Sequence, residues 1–124
     1  SYTYFESGKI AIKMHFKDNL PSGLYNEYFE NGQLKTKGAY AIGYYDGDWE
    51  YYDFNGLQVG EAHFDMGAGI QTAYHYGTRK KKVTIEFKKN LKHGKETYFS
   101  KDGEISKIIY YTEGEIDRVD RNPE

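Results

Sequence analysis

The chain repeats a pattern of alternating apolar and polar residues that is interrupted by glycine-containing turns. The stretch YFENGQL at residues 28–34 returns in a related form as YFSKDGEI at residues 98–105. Between such turns, alternate positions are apolar, as at Ile10, Ile12 and Met14. Alternation with a period of two is typical of an antiparallel strand with one covered face. The pattern therefore predicts short strands joined by tight turns.

Five glycines mark one class of turn and set the length of the repeat. They are Gly8, Gly32, Gly56, Gly77 and Gly103, separated by 24, 24, 21 and 26 residues. Most follow a turn-forming partner, and Asn-Gly and Asp-Gly pairs favour the positive φ of a type I′ hairpin. The sequence predicts structural turns at all five glycines, with the type I′ signal at the Asn-Gly and Asp-Gly pairs.

A second turn is predicted in each repeat. Equivalent positions between turns of the first class hold Asn19, Gly43, Gly67 and Gly114. Asparagine and glycine readily adopt the left-handed backbone conformation. The segment TRKKK at residues 78–82 carries two extra residues, which lengthen one turn of the first class before the pattern resumes.

Composition agrees with an all-β chain. The 124 residues include 14 Tyr, 7 Phe and 14 Gly but only 2 Pro, which favours strands and glycine turns over helices. A chain of this length forms one domain with one core. No run approaches the roughly 20 apolar residues of a membrane span, so the chain as given is expected to be soluble. The compartment, cytoplasmic or exported, is left open.

The aromatic and glycine positions together resemble a known repeat family. GDWEYYDFNG at residues 47–56, with its echoes GLYNEYFENG and GKETYFSKDG, is similar to the bacterial MORN repeat variant, in particular to YwqK-type proteins often labelled as antitoxins. The resemblance covers about residues 2–118. It implies a role in protein scaffolding or, as in some MORN arrays, phospholipid binding, and the antitoxin label implies a protein partner.

The expected architecture is an elongated antiparallel β-meander of about ten short strands, built from about five repeats of roughly 24 residues. The repeat domain is predicted to span residues 1–118, followed by a charged tail at residues 119–124. The first and last strands have free edges, so a dimer formed through an edge strand is left open.

The sequence contains little that indicates catalysis or metal binding. With no Cys, thiolate chemistry and Cys-based metal sites are excluded. His15 and His63 lie two repeats apart, about 19 Å in a sheet, which is too far to share a metal. Asp46 and Asp48 are interpreted as charges of a soluble turn, and no nucleophile elbow or phosphate-binding loop is present. We therefore expect a non-enzyme without metal or cofactor.

Charge is unevenly distributed. The chain has a net charge of −2, yet residues 77–99 contain 8 basic and 2 acidic side chains. Such a cluster suits an acidic protein surface or anionic lipid headgroups, whereas the overall acidity argues against nucleic acid as the main partner. The alternative is that these lysines only solubilise a long turn. The candidate anion- or lipid-binding residues are Arg79, Lys80, Lys81, Lys82, Lys88 and Lys89.

A single-layer sheet would leave an aromatic stripe uncovered. Tyr25 and Trp49 share one repeat position, and Tyr51 follows on the same face. Most aromatic rings are expected in the core, but Tyr and Trp are also enriched in binding hot spots. Tyr25, Trp49 and Tyr51 are therefore the candidate residues for binding a protein.

The leading interpretation of the sequence is a non-enzymatic scaffold that binds another protein, antitoxin-like or associated with the cell envelope. The alternative is a peripheral binder of anionic membranes through residues 79–95.

Overall fold

The computed structural model describes residues 1–123, which form a single antiparallel sheet whose eleven strands follow one another in chain order. The predicted all-β meander is confirmed. The strands are β1 Tyr2–Tyr4, β2 Ile10–Lys17, β3 Leu20–Tyr28, β4 Leu34–Ala41, β5 Tyr44–Tyr52, β6 Gln58–Asp65, β7 Ala68–Tyr74, β8 Lys81–Lys88, β9 Leu91–Phe99, β10 Ile105–Thr112 and β11 Glu115–Arg121.

The turns at the five repeating glycines lie along one rim of the sheet, here called the first rim. All five glycines have positive φ, between 75° and 89°. In the turn before β4, Phe29 N donates to Gln33 O at 2.8 Å and Gly32 N donates to Phe29 O at 2.9 Å. This pattern closes a three-residue loop with a left-handed glycine at its end, which is a type I turn followed by a bulge.

The type I′ geometry predicted for the Asn-Gly and Asp-Gly pairs is therefore wrong. Asn31 is not among the residues with positive φ. Its side-chain Oδ1 instead accepts a hydrogen bond from Gln33 N at 3.0 Å, which caps the turn. Asparagine is favoured here for its side-chain acceptor, and only Gly32 supplies the left-handed conformation.

Type I′ turns occur on the opposite, second rim. Two consecutive residues have positive φ in each of these turns: Asp18 and Asn19, Ile42 and Gly43, Met66 and Gly67, Lys89 and Asn90, Glu113 and Gly114. Positive φ at both central residues matches the twist of the flanking strands. The predicted left-handed residues of the second turn are confirmed at Asn19, Gly43, Gly67 and Gly114.

The turn that contains TRKKK has a different construction. His75 N donates to Lys80 O at 2.9 Å and Thr78 N donates to His75 O at 3.0 Å. The loop therefore holds four residues, with Gly77 in second place. Compared with the three-residue loops of the first rim, this loop is one residue longer and its glycine stands one position earlier. Together these two differences account for the two extra residues after Gly77. Register is restored in β8, as predicted.

The hairpin of β6 and β7 lacks a bulge that its neighbours have. Gly23, Gly47 and Gly94 adopt positive φ within β3, β5 and β9, where the pairing shifts. No shift interrupts the pairing of β6 with β7. The side chain of Asn90 reaches across this shorter hairpin to the β4–β5 turn. Its Oδ1 accepts from Tyr45 N and its Nδ2 donates to Gly43 O, both at 2.9 Å.

Cross-strand pairing places the alternating residues on two consistent faces. One row of partners runs through Tyr51, Gly60, Ala73, Val83 and Tyr98 from β5 to β9. A parallel row runs through Trp49, Ala62, Gln71, Ile85 and Glu96. We call the face that carries both rows the aromatic face. The other face is not purely polar, because Tyr74 and Ile108 are buried on it.

The sheet is a single layer. Its accessible surface is 8135 Å², whereas a compact protein of 14.4 kDa exposes about 6,800 Å². Each strand contacts mainly its sequence neighbours, and the described residues contain no second layer of structure. Both faces of the sheet are therefore open over much of their area. No helix within residues 1–123 is long and apolar enough to cross a membrane.

The last strand extends beyond the predicted domain boundary. β11 continues to Arg121, so residues 119–121 belong to the sheet rather than to a separate tail. Val119 pairs with Ile109, and Asn122 N donates to Ser106 O at 2.8 Å. Residue 124 of the predicted tail lies outside the described residues.

Candidate functional site

The core of the aromatic face is built around Trp49. Its side chain is only 4% exposed, because the indole ring lies over Gly38 in β4. A Cβ atom built on Gly38 would overlap that ring, so the glycine creates the hollow that Trp49 fills. Tyr40 and Tyr45 pack against the indole with ring centroids 5.4 Å away, in edge-to-face arrangements.

This burial corrects one sequence prediction. The sequence predicts Trp49 in an exposed stripe with Tyr25 and Tyr51, but the residue is buried beneath the neighbouring rings. The half-buried ring of Tyr25 packs on it with centroids 5.6 Å apart. Tyr51 is also half-buried and lies beside Gly60 of β6. The structure therefore brings the three predicted residues together, with Trp49 as the floor.

A groove of about 240 Å³ opens above this floor, and we call it the aromatic groove. Its aromatic lining comes from Tyr25, Tyr40, Tyr45, Trp49, Tyr51, Phe64 and Phe87, and its polar lining from Glu27, Thr36 and Gln71. Sequence reasoning missed Tyr40 and Tyr45, which flank the turn at Gly43 and converge on Trp49 only when β4 pairs with β5.

Hydrogen bonds fix two of the tyrosine hydroxyls in the groove. Tyr25 Oη donates to Glu27 Oε1 at 3.3 Å, and Tyr51 Oη donates to Gln71 Oε1 at 3.1 Å. Burial raises the pKa of both hydroxyls above the ordinary value, and the charge of Glu27 together with its hydrogen bond raises the pKa of Tyr25 further. Both tyrosines stay neutral at physiological pH. The formal charge of the lining is therefore the carboxylate of Glu27.

The aromatic face changes character toward the C-terminus. Glu96 occupies the same cross-strand row as Trp49, and it is 3% exposed. Lys92 Nζ contacts Glu96 Oε1 and Tyr98 Oη donates to Glu96 Oε2, both at 2.6 Å. Burial favours the neutral acid, but these hydrogen bonds and the charges of Lys92 and Lys107 hold the pKa of Glu96 below its ordinary value. The row thus passes from an aromatic core to a buried carboxylate that is paired with a partly exposed lysine.

The predicted basic cluster divides into two. Arg79 and Lys80 lie in a first-rim turn, and Lys81 and Lys82 begin β8 beside it. Lys88 ends β8 and Lys89 lies in the next turn on the second rim. Lys88 follows Lys82 by six positions of extended strand, a distance of about 20 Å. The six candidate residues therefore do not form one site.

Arg79 is engaged within the chain. Its guanidinium donates to Glu61 Oε1 at 3.1 Å and to Gln58 Oε1 at 3.2 Å. It also lies over the ring of Tyr74, 4.8 Å from the centroid. Removing Arg79 would disturb these contacts as well as the surface charge, so Lys80 and Lys81 are the better probes of this cluster.

A groove on the first rim adds one lysine that sequence reasoning missed. Lys80 and Lys81 line a depression of about 580 Å³ together with Phe99, Ser100 and Lys101. His75 Nε2 lies 3.1 Å from Phe99 O and helps to hold the two turns together. Lys101 follows Lys81 by 20 residues, so only the pairing of consecutive repeats could reveal this proximity.

The histidines and acidic turn residues make separate local contacts. His63 Nδ1 lies 2.7 Å from Asp48 Oδ1, and His93 Nδ1 accepts from Glu113 N at 3.2 Å. Asp46 Oδ1 accepts from Met66 N at 3.0 Å. Across residues 1–123, no three His, Asp or Glu side chains converge on a point where they could hold a metal ion.

Comparison with known families supports the repeat assignment. The family model described as MORN repeat variant matches residues 1–18, 21–41 and 92–115, together just over half of the chain. The unmatched centre includes Trp49 and the TRKKK turn, although β5–β8 continue the same sheet. No curated protein matches the sequence. On the strength of the matched segments and the meander that contains them, the chain belongs to the MORN repeat-variant family.

Proposed function

We propose that this protein is a non-enzymatic scaffold that binds another protein through the aromatic groove. MORN repeats are generally motifs of protein or membrane interaction. The observation that carries the proposal is a groove of half-buried tyrosines above Trp49, on a face that no other element of the described chain covers. Tyrosine rings supply large, rigid contact areas and are enriched in interface hot spots.

The surface area of the sheet supports this proposal. A single layer leaves more surface in water than a compact domain of equal mass, and binding a partner would remove apolar rings from that water. The antitoxin-like role that the resemblance implies would be one instance of such binding, and an envelope-associated role would be another.

The test compares variants in capture experiments with a lysate of the source organism. We expect Tyr40→Ser and Tyr51→Ser to lose a partner that the unchanged protein retains at about 0.3 M salt, because an aromatic interface is weakly screened. Lys80→Ser combined with Lys81→Ser serves as the control and should retain it. Circular dichroism establishes that each variant is folded. A partner that survives both tyrosine changes but not the lysine changes would contradict the proposal.

A second candidate function is peripheral binding to anionic membranes. The grouping of Lys80, Lys81 and Lys101 around the first-rim groove favours it. Each basic side chain near such a membrane contributes about 1 kcal/mol, and the attraction weakens as salt is added.

Flotation with phosphatidylserine vesicles across a salt series tests this candidate. We expect weak association at low ionic strength that is lost in the Lys80→Ser, Lys81→Ser variant. The matched control, Lys88→Ser with Lys89→Ser, removes equal charge from the second rim and should still float. Equal loss in both variants would indicate an effect of net charge alone, and no association even at low salt would eliminate the membrane candidate.

A further inference from the structure

The chain contains occupied examples of one recurring arrangement: a tyrosine hydrogen-bonded to a glutamate, with a basic side chain over the ring. Tyr74 donates its hydroxyl to Glu61 Oε1, and the guanidinium of Arg79 lies over the ring while donating to the same carboxylate at 3.1 Å. Attraction between the cation and the ring face adds to the ion pair.

A second example lies on the aromatic face. Tyr98 Oη donates to Glu96 Oε2 at 2.6 Å, and Lys107 Nζ lies over the Tyr98 ring, 4.1 Å from its centroid. Lys92 supplies a further cation, which contacts the other oxygen of Glu96 at 2.6 Å. Here too the carboxylate and the tyrosine ring together hold basic groups.

The aromatic groove contains the same tyrosine and glutamate without a cation over the ring. Tyr25 donates to Glu27 Oε1, yet within the described residues no Lys or Arg lies over Tyr25, Tyr40 or Tyr45. Lys35 approaches only the other oxygen of Glu27, at 3.5 Å, with its Nζ over the ring of Phe29, which is outside the groove lining.

We propose that the aromatic groove receives a basic side chain of the partner protein, with arginine preferred. This inference rests on the proposed function and names the chemistry that the partner presents. The lining carries one charged group, the carboxylate of Glu27, and no cation, so it is complementary to a positive side chain. A guanidinium is planar, stacks on tyrosine rings and donates to a carboxylate in a fixed geometry, as Arg79 does over Tyr74.

The test uses a peptide of four Gly-Arg units as the probe. Two matched peptides replace every arginine by citrulline, which keeps the shape without the charge, or by norleucine, which is apolar. Trp49 is the single tryptophan of the chain and forms the floor of the groove, so its fluorescence reports occupancy directly. We expect the arginine peptide to shift the emission, and to bind roughly three- to thirtyfold more tightly than either replacement peptide.

Two substitutions are expected to change the affinity for the arginine peptide in opposite directions. Glu27→Gln should weaken binding of the arginine peptide several-fold, whereas Lys35→Gln, which frees the second oxygen of Glu27, should strengthen it. A gain of binding cannot result from a misfolded variant. Glu115→Gln, an equal loss of charge at the exposed start of β11, is the control and should leave the affinity unchanged.

The outcomes separate this inference from the proposed function. Equal binding of the citrulline or norleucine peptide would overturn it, as would equal effects of Glu27→Gln and Glu115→Gln. If Tyr40→Ser abolishes partner capture while the arginine peptide leaves the fluorescence of Trp49 unchanged, the groove binds proteins but does not select a basic side chain. If Tyr40→Ser leaves partner capture intact and the arginine peptide leaves the fluorescence of Trp49 unchanged, both proposals fail.

Discussion

Replacing Gly38 by alanine should destabilise the protein, although alanine is ordinarily better than glycine in a strand. Gly38 lies in β4 without positive φ, so backbone entropy alone would favour alanine by about 0.5–1 kcal/mol. A Cβ at this position would overlap the indole of Trp49, which is 4% exposed and enclosed by other rings. Overpacking of a filled core costs about 1–3 kcal/mol. We expect a net loss of about 1–2 kcal/mol.

A double-mutant cycle with Trp49→Leu isolates this contact. Trp49→Leu alone should cost about 2–4 kcal/mol, because it leaves a cavity on the aromatic face. In that background the added methyl group has room, so Gly38→Ala should be neutral or slightly stabilising. The coupling free energy between the two positions should therefore be about 2 kcal/mol.

Urea unfolding followed by circular dichroism measures all four proteins, since the signal does not depend on the tryptophan. Slopes that agree among the variants would support a two-state comparison. If Gly38→Ala costs the same in both backgrounds, the indole is not what the methyl group meets. If Gly38→Ala alone raises the stability, the packing of Trp49 over Gly38 is refuted.

Two further predictions concern a turn and a buried acid. Gly32→Val should cost about 1–3 kcal/mol in urea unfolding, because φ is 87° there, whereas Glu30→Val in the same turn should have little effect; equal small shifts would contradict the turn assignment. The lowered pKa of Glu96 means that its ionised form stabilises the fold fully above its ordinary pKa of 4.5, and that this contribution is lost as pH falls through the lowered pKa. Glu96→Gln should therefore flatten the acid dependence of the urea midpoint, and an unchanged acid slope would show that Glu96 is not its source.

The repeat period and the glycine turns could be predicted because they are local. A left-handed residue must recur wherever the chain reverses, and Gly32 and Gly56 adopt the expected positive φ. The turn type could not be read from the Asn-Gly pair alone, because it depends on how many residues the pairing strands leave in the loop. Asn31 caps a three-residue loop, whereas Asp18 and Asn19 form a two-residue loop.

The candidate site was harder to predict because it depends on neighbours across the strands. Trp49 belongs to a column of aromatics, and the sequence does not show which member lies over a glycine until β4 is paired with β5. Lys80 and Lys101 are distant in sequence, and consecutive turns bring them to one groove.

The bridge made by Asn90 alters how this array can come apart. A meander whose strands touch only adjacent strands can be unzipped from either end, one hairpin after another. Asn90 joins the β8–β9 turn to the β4–β5 turn and thereby spans the hairpin between them. Separation of β6 from its neighbours must also break that clamp, so the middle of the sheet should open as one cooperative block, while β1 and β11 fray independently.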